Sequence, residues 1–213
     1  MLDSLRKRRT VKMIGDPAAP EPGGNISRER IDKLLAAAGN APFHQPCDRI
    51  HQNSLTSPVP WRCYKLDSVG CRKLMSALIA SGDPTKVPNM LAAAEALLQV
   101  TWLPDPDTIS PDQTEDSITV FAGTIRNMEH IAAASSFVQS VLLAVDDEGL
   151  GSYWSSGGIL RRGEVFGRLG IPEDEILLGS IFLFPSEPTN SETKPGKLSQ
   201  MRGTVEDWSR WTL

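Results

Sequence analysis

Arg6, Lys7, Arg8, Arg9 and Lys12 place five cations within seven positions of a chain whose 22 lysines and arginines are outnumbered by 26 acids. The net charge of −4 argues against a nucleic-acid binder, which needs a broad basic face, so the run is a local device. Read alone, it serves equally as a solvated face or a localisation signal. A second stretch, Ser155-Ser156-Gly157-Gly158, has the composition that lets a planar ligand lie against main chain; it reads equally as a strand-to-helix turn. A third is His44, Cys47 and His51, spaced H-x2-C-x3-H, with Cys63 as a conceivable fourth zinc ligand. With three histidines in the whole chain and no C-x-x-C pair, the reading is that no metal is bound. No convincing nucleophilic triad or carboxylate pair is present.

The elements that must position these residues follow from period and punctuation. The first dozen residues read as a short helix or turn, and the proline-rich stretch 15–25 as a loop. Ser27 is an N-cap for a helix over Arg28–Ala38, with Ile31, Leu34, Leu35 and Ala38 on one face and Gly39 at its end. Residues 40–60 form a long loop. Trp61–Leu66 reads as a strand, Asp67 caps a helix to about Ala80, 86–95 is helical, and 97–103 is a buried strand stopped by Pro104. After a polar loop, residues 117–148 read as two helices broken near Arg126, the second carrying Ile131, Ala134, Val138, Val141, Leu142 and Val145 at helical spacing. His130 is expected on that helix's surface or at an interface. Gly149 and Gly151 stop the helix, SYWSS gives a short strand, a helix runs from about Ile159 to Leu169, and the apolar run 176–184 belongs in the sheet centre.

At 213 residues and 40% hydrophobic, the chain reads as one domain spanning 1–213. Three unpaired-looking cysteines indicate a reducing, cytoplasmic setting. Neither a leader nor a membrane span is expected, because Ser135, Ser136, Gln139 and Ser140 interrupt the longest apolar stretch. The tail from Ser186 is polar yet keeps Trp208 and Trp211, which argues that it packs on something.

Four strings, in this order and spacing, resemble the FMN-dependent nitroreductase family, particularly its small single-domain bacterial members. They are RRTVK (8–12), LLAAAGNAPFH (34–44) with PWR (60–62), AAASSFVQSVLLAVDDEGLGSYWSSGG (132–158), and LGIPEDEILLGSIFLFPSEP (169–188). The resemblance implies an α+β fold in which a mixed central sheet is wrapped by helices and two copies form an intertwined homodimer, the arm 186–213 reaching the partner subunit. It assigns Arg8, Arg9 and Thr10 to the phosphate and ribityl chain of FMN, and Lys12 to the pyrimidine edge of the ring. A phosphate of about two negative charges suits such donors, each charge-assisted bond being worth about 1.5–3 kcal/mol.

The resemblance also places Trp154, Ser155, Ser156, Gly157 and Gly158 at the ring, where an amide N–H can stabilise the reduced, hydride-carrying state. Pro42, Phe43 and His44 would approach from the other subunit, and Arg202, with Lys197 second, would meet the phosphate. Relatives often have Arg where Lys12 stands, and residues 45–59 are an apparent insertion. The implied activity is oxidoreduction by a ping-pong route, with NAD(P)H as hydride donor and nitroaromatics, quinones or other electron-poor small molecules as acceptors. Flavin binding without turnover, another flavin chemistry such as dehalogenation, oxidation or flavin fragmentation, and a zinc-stabilised module are the alternatives.

Overall fold

The computed structural model describes residues 2–110, 120–196, 198–201 and 203–212. Helix α1 (Leu2–Lys7) ends on Arg6 and Lys7, cations that suit the negative end of a helix dipole. Strand β1 (Val11–Gly15) follows, and beyond the proline-rich turn α2 (Arg28–Ala38) starts on Ser27, whose hydroxyl accepts from the Arg30 amide. Strand β2 (Trp61–Asp67) passes directly into α3 (Ser68–Ala80), capped by the Asp67 carboxylate on the Gly70 amide. Short helix α4 (Val87–Ala93) leads into β3 (Ala96–Trp102), every residue of which is buried. Two-residue strands β4 (Ile109–Ser110) and β5 (Val120–Phe121) pair with each other before the long helix α5 (Ile125–Asp147). The chain closes with β6 (Gly151–Ser155), α6 (Gly163–Leu169), β7 (Ile176–Phe184) and β8 (Ser191–Pro195).

Four of these strands form one sheet in the order β2-β3-β7-β6. β3 and β7 lie at its centre, as their continuous apolar runs require. The α+β layering matches expectation. Every pairing in this sheet is antiparallel, so the parallel contact that a mixed sheet needs is not made between the described strands. One face buries Leu98, Val100, Ile181 and Leu183 with Ala134, Phe137, Val138, Val141 and Leu142 of α5 and with Ile31 and Leu34 of α2. The other buries Leu97, Phe182 and Phe184 against Leu74 and Leu78 of α3, Leu91 of α4 and Phe166 of α6.

Three expectations change. The break near Arg126 is absent: α5 is one helix, begun by Thr124, whose hydroxyl accepts from the Asn127 amide, so Arg126 sits in its first turn. The first of the two expected helices falls partly on residues 111–119, outside the described residues, and Val120–Phe121 is strand. His130 is not on the surface; it is buried, with Nδ1 donating to the Leu103 carbonyl at 2.6 Å, and burial pushes its pKa down. Finally, the arm does not leave its own chain at Ser186. The Glu21 carboxylate accepts from the Thr189 and Asn190 amides, and β8 then pairs antiparallel with β1.

α5 is the one described helix whose length and apolarity would also suit a membrane span. Here its apolar face is sheet-packed core.

Candidate functional site

The cationic run divides into two parts with different surroundings. Arg6 and Lys7 cap α1, and the exposed Arg9 guanidinium folds back onto the Arg6 and Arg8 carbonyls. Arg8 is half-buried, and Thr10 is held at the end of the β1–β8 ladder, where the Gly196 amide donates to its carbonyl at 3.0 Å. Lys12 enters the fold. Its Nζ stands 5.4 Å from the centre of the Tyr153 ring on β6, two residues before Ser155. One half of the expected site is therefore brought against the other by the packing of β1 on β6.

Lys12 is also under electrostatic tension. In the β1–β8 register it lies directly opposite Lys194, and like charges so placed oppose pairing. Burial lowers the Lys12 pKa, and Lys86 and Lys194 lower it further. Lys194 is partly compensated by the Glu192 carboxylate 3.2 Å away. Lys86 and Lys194 were not singled out in the sequence: neither lies in a recognisable motif, and they approach Lys12 only through the packing of α4 on β1 and the pairing of β1 with β8.

The turn after β6 has the backbone expected of a cradle. Gly157 has φ of 105° and Gly158 of 53°, both in the region that favours glycine. A Cβ on Gly157 would lie 2.5 Å from Leu177 Cδ2, whereas one on Gly158 would meet nothing within 4 Å. The Gly157 amide donates to Ser155 Oγ at 3.2 Å. Trp154, 37% exposed, lies across β7 at Gly179, where a Cβ would come within 2.1 Å of the indole Nε1. Gly179 thus makes the seat for Trp154, a role no local motif signals. Arg161 was missed too: it donates to the Ser156, Leu177 and Leu178 carbonyls and ties the turn to β7.

Pro42, Phe43 and His44 are exposed, and Phe43 packs edge-on against Trp61 at 5.9 Å. Trp61 begins β2, the opposite edge of the sheet from β6, roughly 14 Å away at three strand spacings. Within one chain this loop does not join the Ser155–Gly158 turn. Arg202 and Lys197 lie outside the described residues.

The H-x2-C-x3-H residues have other partners. His44 is exposed, His51 is buried with Nε2 on the Pro104 carbonyl at 2.8 Å, and the Asp174 carboxylate lies 3.1 Å from Nδ1 but outside hydrogen-bonding alignment. Cys47 Sγ sits 3.9 Å from Arg62, a cation that would repel a metal. Among the described residues no group of three or more His, Cys, Asp or Glu is placed to hold a metal. The buried Arg62 instead organises the insertion, donating to the His51, Leu55, Ser57, Val59 and Trp61 carbonyls.

An α+β fold in which β1 packs a lysine cluster on β6, the strand that leads into a glycine turn, defines the class by its architecture. The profile of the nitroreductase family matches residues 22–183, and the chain belongs to that family. No curated protein matches its sequence. Solved structures share the fold at low identity. A nitroreductase-like family protein from Bacillus cereus aligns with TM-score 0.60 at 18% identity, covering 96% of this chain and 95% of the other. The FMN-dependent nitroreductase of Mycobacterium smegmatis, in complex with NADPH, aligns with TM-score 0.59 at 13% identity, over 100% and 97%. A Bacteroides fragilis nitroreductase with bound FMN aligns with TM-score 0.51 at 17% identity, over 87% and 88%.

Proposed function

We propose that the protein is a cytoplasmic FMN-dependent oxidoreductase that takes hydride from NAD(P)H and delivers it to nitroaromatic, quinone or related small electron-poor acceptors. The carrying observation is Lys12, opposed by Lys194 and standing over Tyr153 of β6, the strand that leads into the positive-φ glycines. Family membership supports oxidoreduction, and relatives crystallised with FMN and with NADPH support the cofactor and the donor. When bound, FMN would supply hydride acceptance and donation at N5 in a ping-pong cycle.

The chain's own residues bind and orient. Arg8, Arg9, Thr10 and Lys194 supply donors for the phosphate end, and Lys12 holds positive charge at the pyrimidine edge, where negative charge gathers on reduction. Ser155, Ser156, Gly157 and Gly158 offer main chain to the ring, with Trp154 beside it. Residues 1–213 act as one domain, and Pro42, Phe43 and His44 complete the pocket of a partner copy in a homodimer. Their position at the far edge of the sheet from β6 supports that exchange.

The test is purification followed by stopped-flow mixing with NADH and NADPH separately, then with a quinone. Yellow protein whose flavin bleaches and recovers is the expected result; colourless protein that takes up no added FMN overturns the reading. Replacing Arg8 and Arg9 together by Ala should release the flavin from a protein that remains folded, and stoichiometric retention would move the anchor elsewhere.

A further inference from the structure

Gly157 can adopt backbone angles closed to other residues, so by itself the Ser156–Gly157 peptide has two accessible orientations. In one the N–H faces outward from the turn, in the other the carbonyl does. Because the peptide is planar and trans, its C=O and N–H point in opposite directions, and fixing one fixes the other. Arg161 fixes the carbonyl. Its Nε donates to Ser156 O while Nη1 and Nη2 reach Leu177 O and Leu178 O at 2.5 and 3.3 Å. The fork is anchored on β7, a central strand, and its planar geometry leaves it little freedom. These donors go to carbonyls rather than to a carboxylate, although burial works against the charge. The Gly157 N–H is thereby turned away from Arg161, towards Ser155 Oγ.

We infer that Arg161 is a positioning residue that withholds the Ser156 carbonyl from the ligand, so that the peptide can offer only its N–H, which a ligand acceptor would share with or take over from Ser155 Oγ, and so sets the redox preference of the bound flavin. The inference rests on the FMN reading above. An oxidised ring has a lone pair and no hydrogen at N5, so it is the oxidised form that gains from a donor there. A reduced ring carries hydrogen on N5 and gains from a carbonyl. The lock therefore favours oxidised FMN over reduced FMN, the reverse of the preference expected from the glycine turn alone. It keeps the reduced cofactor a ready donor.

The test is titration of FMN into cofactor-free wild type, Arg161→Ala and Arg161→Lys, in oxidised form and, anaerobically with dithionite, in reduced form. Arg161→Ala should raise the ratio of oxidised to reduced Kd about tenfold, equivalent to about 30 mV in a two-electron couple. Arg161→Lys, which keeps the charge but loses the fork, should fall between it and wild type, and carries the test if the alanine variant does not fold. Equal weakening of both forms, or an unchanged ratio, would reduce Arg161 to a fold residue and overturn the inference. Wild type that binds neither form would instead defeat the FMN reading itself, a separate and earlier outcome of the same titration.

Discussion

At the scale of single residues, Lys12 separates a binding role from a folding one. A fold residue stabilises the empty protein, whereas Lys12 sits opposite Lys194 with its pKa lowered by burial and by Lys86 and Lys194. Among the described residues its cation is favoured by the Tyr153 ring, a contact worth about 0.5–1 kcal/mol, similar in size to the cross-strand repulsion it suffers. Lys12→Gln should therefore leave the cofactor-free protein within about 0.5 kcal/mol of wild type, or above it, while weakening FMN at least roughly tenfold. Urea denaturation alongside flavin titration reads both quantities. A parallel loss of stability and affinity would place Lys12 in the scaffold. The linkage has a definite sign: a lysine whose folded pKa is lowered is least welcome as a cation, and a bound anion favours its protonation. FMN affinity should accordingly fall as pH rises through the depressed Lys12 pKa, and that fall should vanish in Lys12→Gln.

At the scale of elements, what holds β8 explains both what the sequence revealed and what it hid. Ser27, Asp67 and the run 176–184 were legible because a cap and a buried strand are decided by neighbours in the chain. β8, Ser-Glu-Thr-Lys-Pro, has no apolar alternation, and its partner β1 lies at the other end of the molecule. Likewise Ser155–Gly158 and Lys12 could be singled out by type, while Arg161, Gly179 and Lys194 acquire their roles only through strand register. Glu21 anchors the start of β8. Burial opposes its ionisation, but the amide hydrogen bonds from Asn190 and Thr189, with the nearby Ser191 hydroxyl and Arg72, win, and its pKa falls below the usual value. A lowered carboxylate adds stability that is present above its unfolded pKa of about 4.3 and is lost as pH falls through the folded value. Glu21→Gln should cost roughly 1.5–3 kcal/mol at pH 7 and progressively less as pH falls through the lowered Glu21 pKa. Amide exchange at Thr189 and Asn190 should accelerate in the same variant. A cost that does not shrink on acidification would mean the carboxylate's charge is not what holds the segment.

At the scale of the whole molecule, the single chain leaves two things unfinished. The loop carrying Pro42, Phe43 and His44 is at the wrong edge of the sheet to meet the glycine turn of its own chain. Beyond β8, Trp208 and Trp211 stand 69% and 102% exposed, with Leu198 and Met201 exposed nearby. Large aromatics so displayed fit an interface, where a buried tryptophan commonly contributes about 2 kcal/mol or more. We propose that a second copy resolves both, and the fold narrows the test. Ending the chain after Glu187 would strip β8 from β1 and confuse interface with scaffold, whereas ending it after Gly196 keeps that ladder whole. The shorter chain should unfold at nearly the wild-type urea midpoint at concentrations where both are monomeric. Its dimer dissociation constant, from sedimentation equilibrium, should rise at least roughly tenfold, and FMN affinity should fall with it if, as proposed, each pocket borrows residues from the partner. A truncated chain that dimerises as tightly as wild type would show that the two tryptophans serve some other contact. One that loses the dimer but retains full FMN affinity would show that the pocket is complete within one subunit.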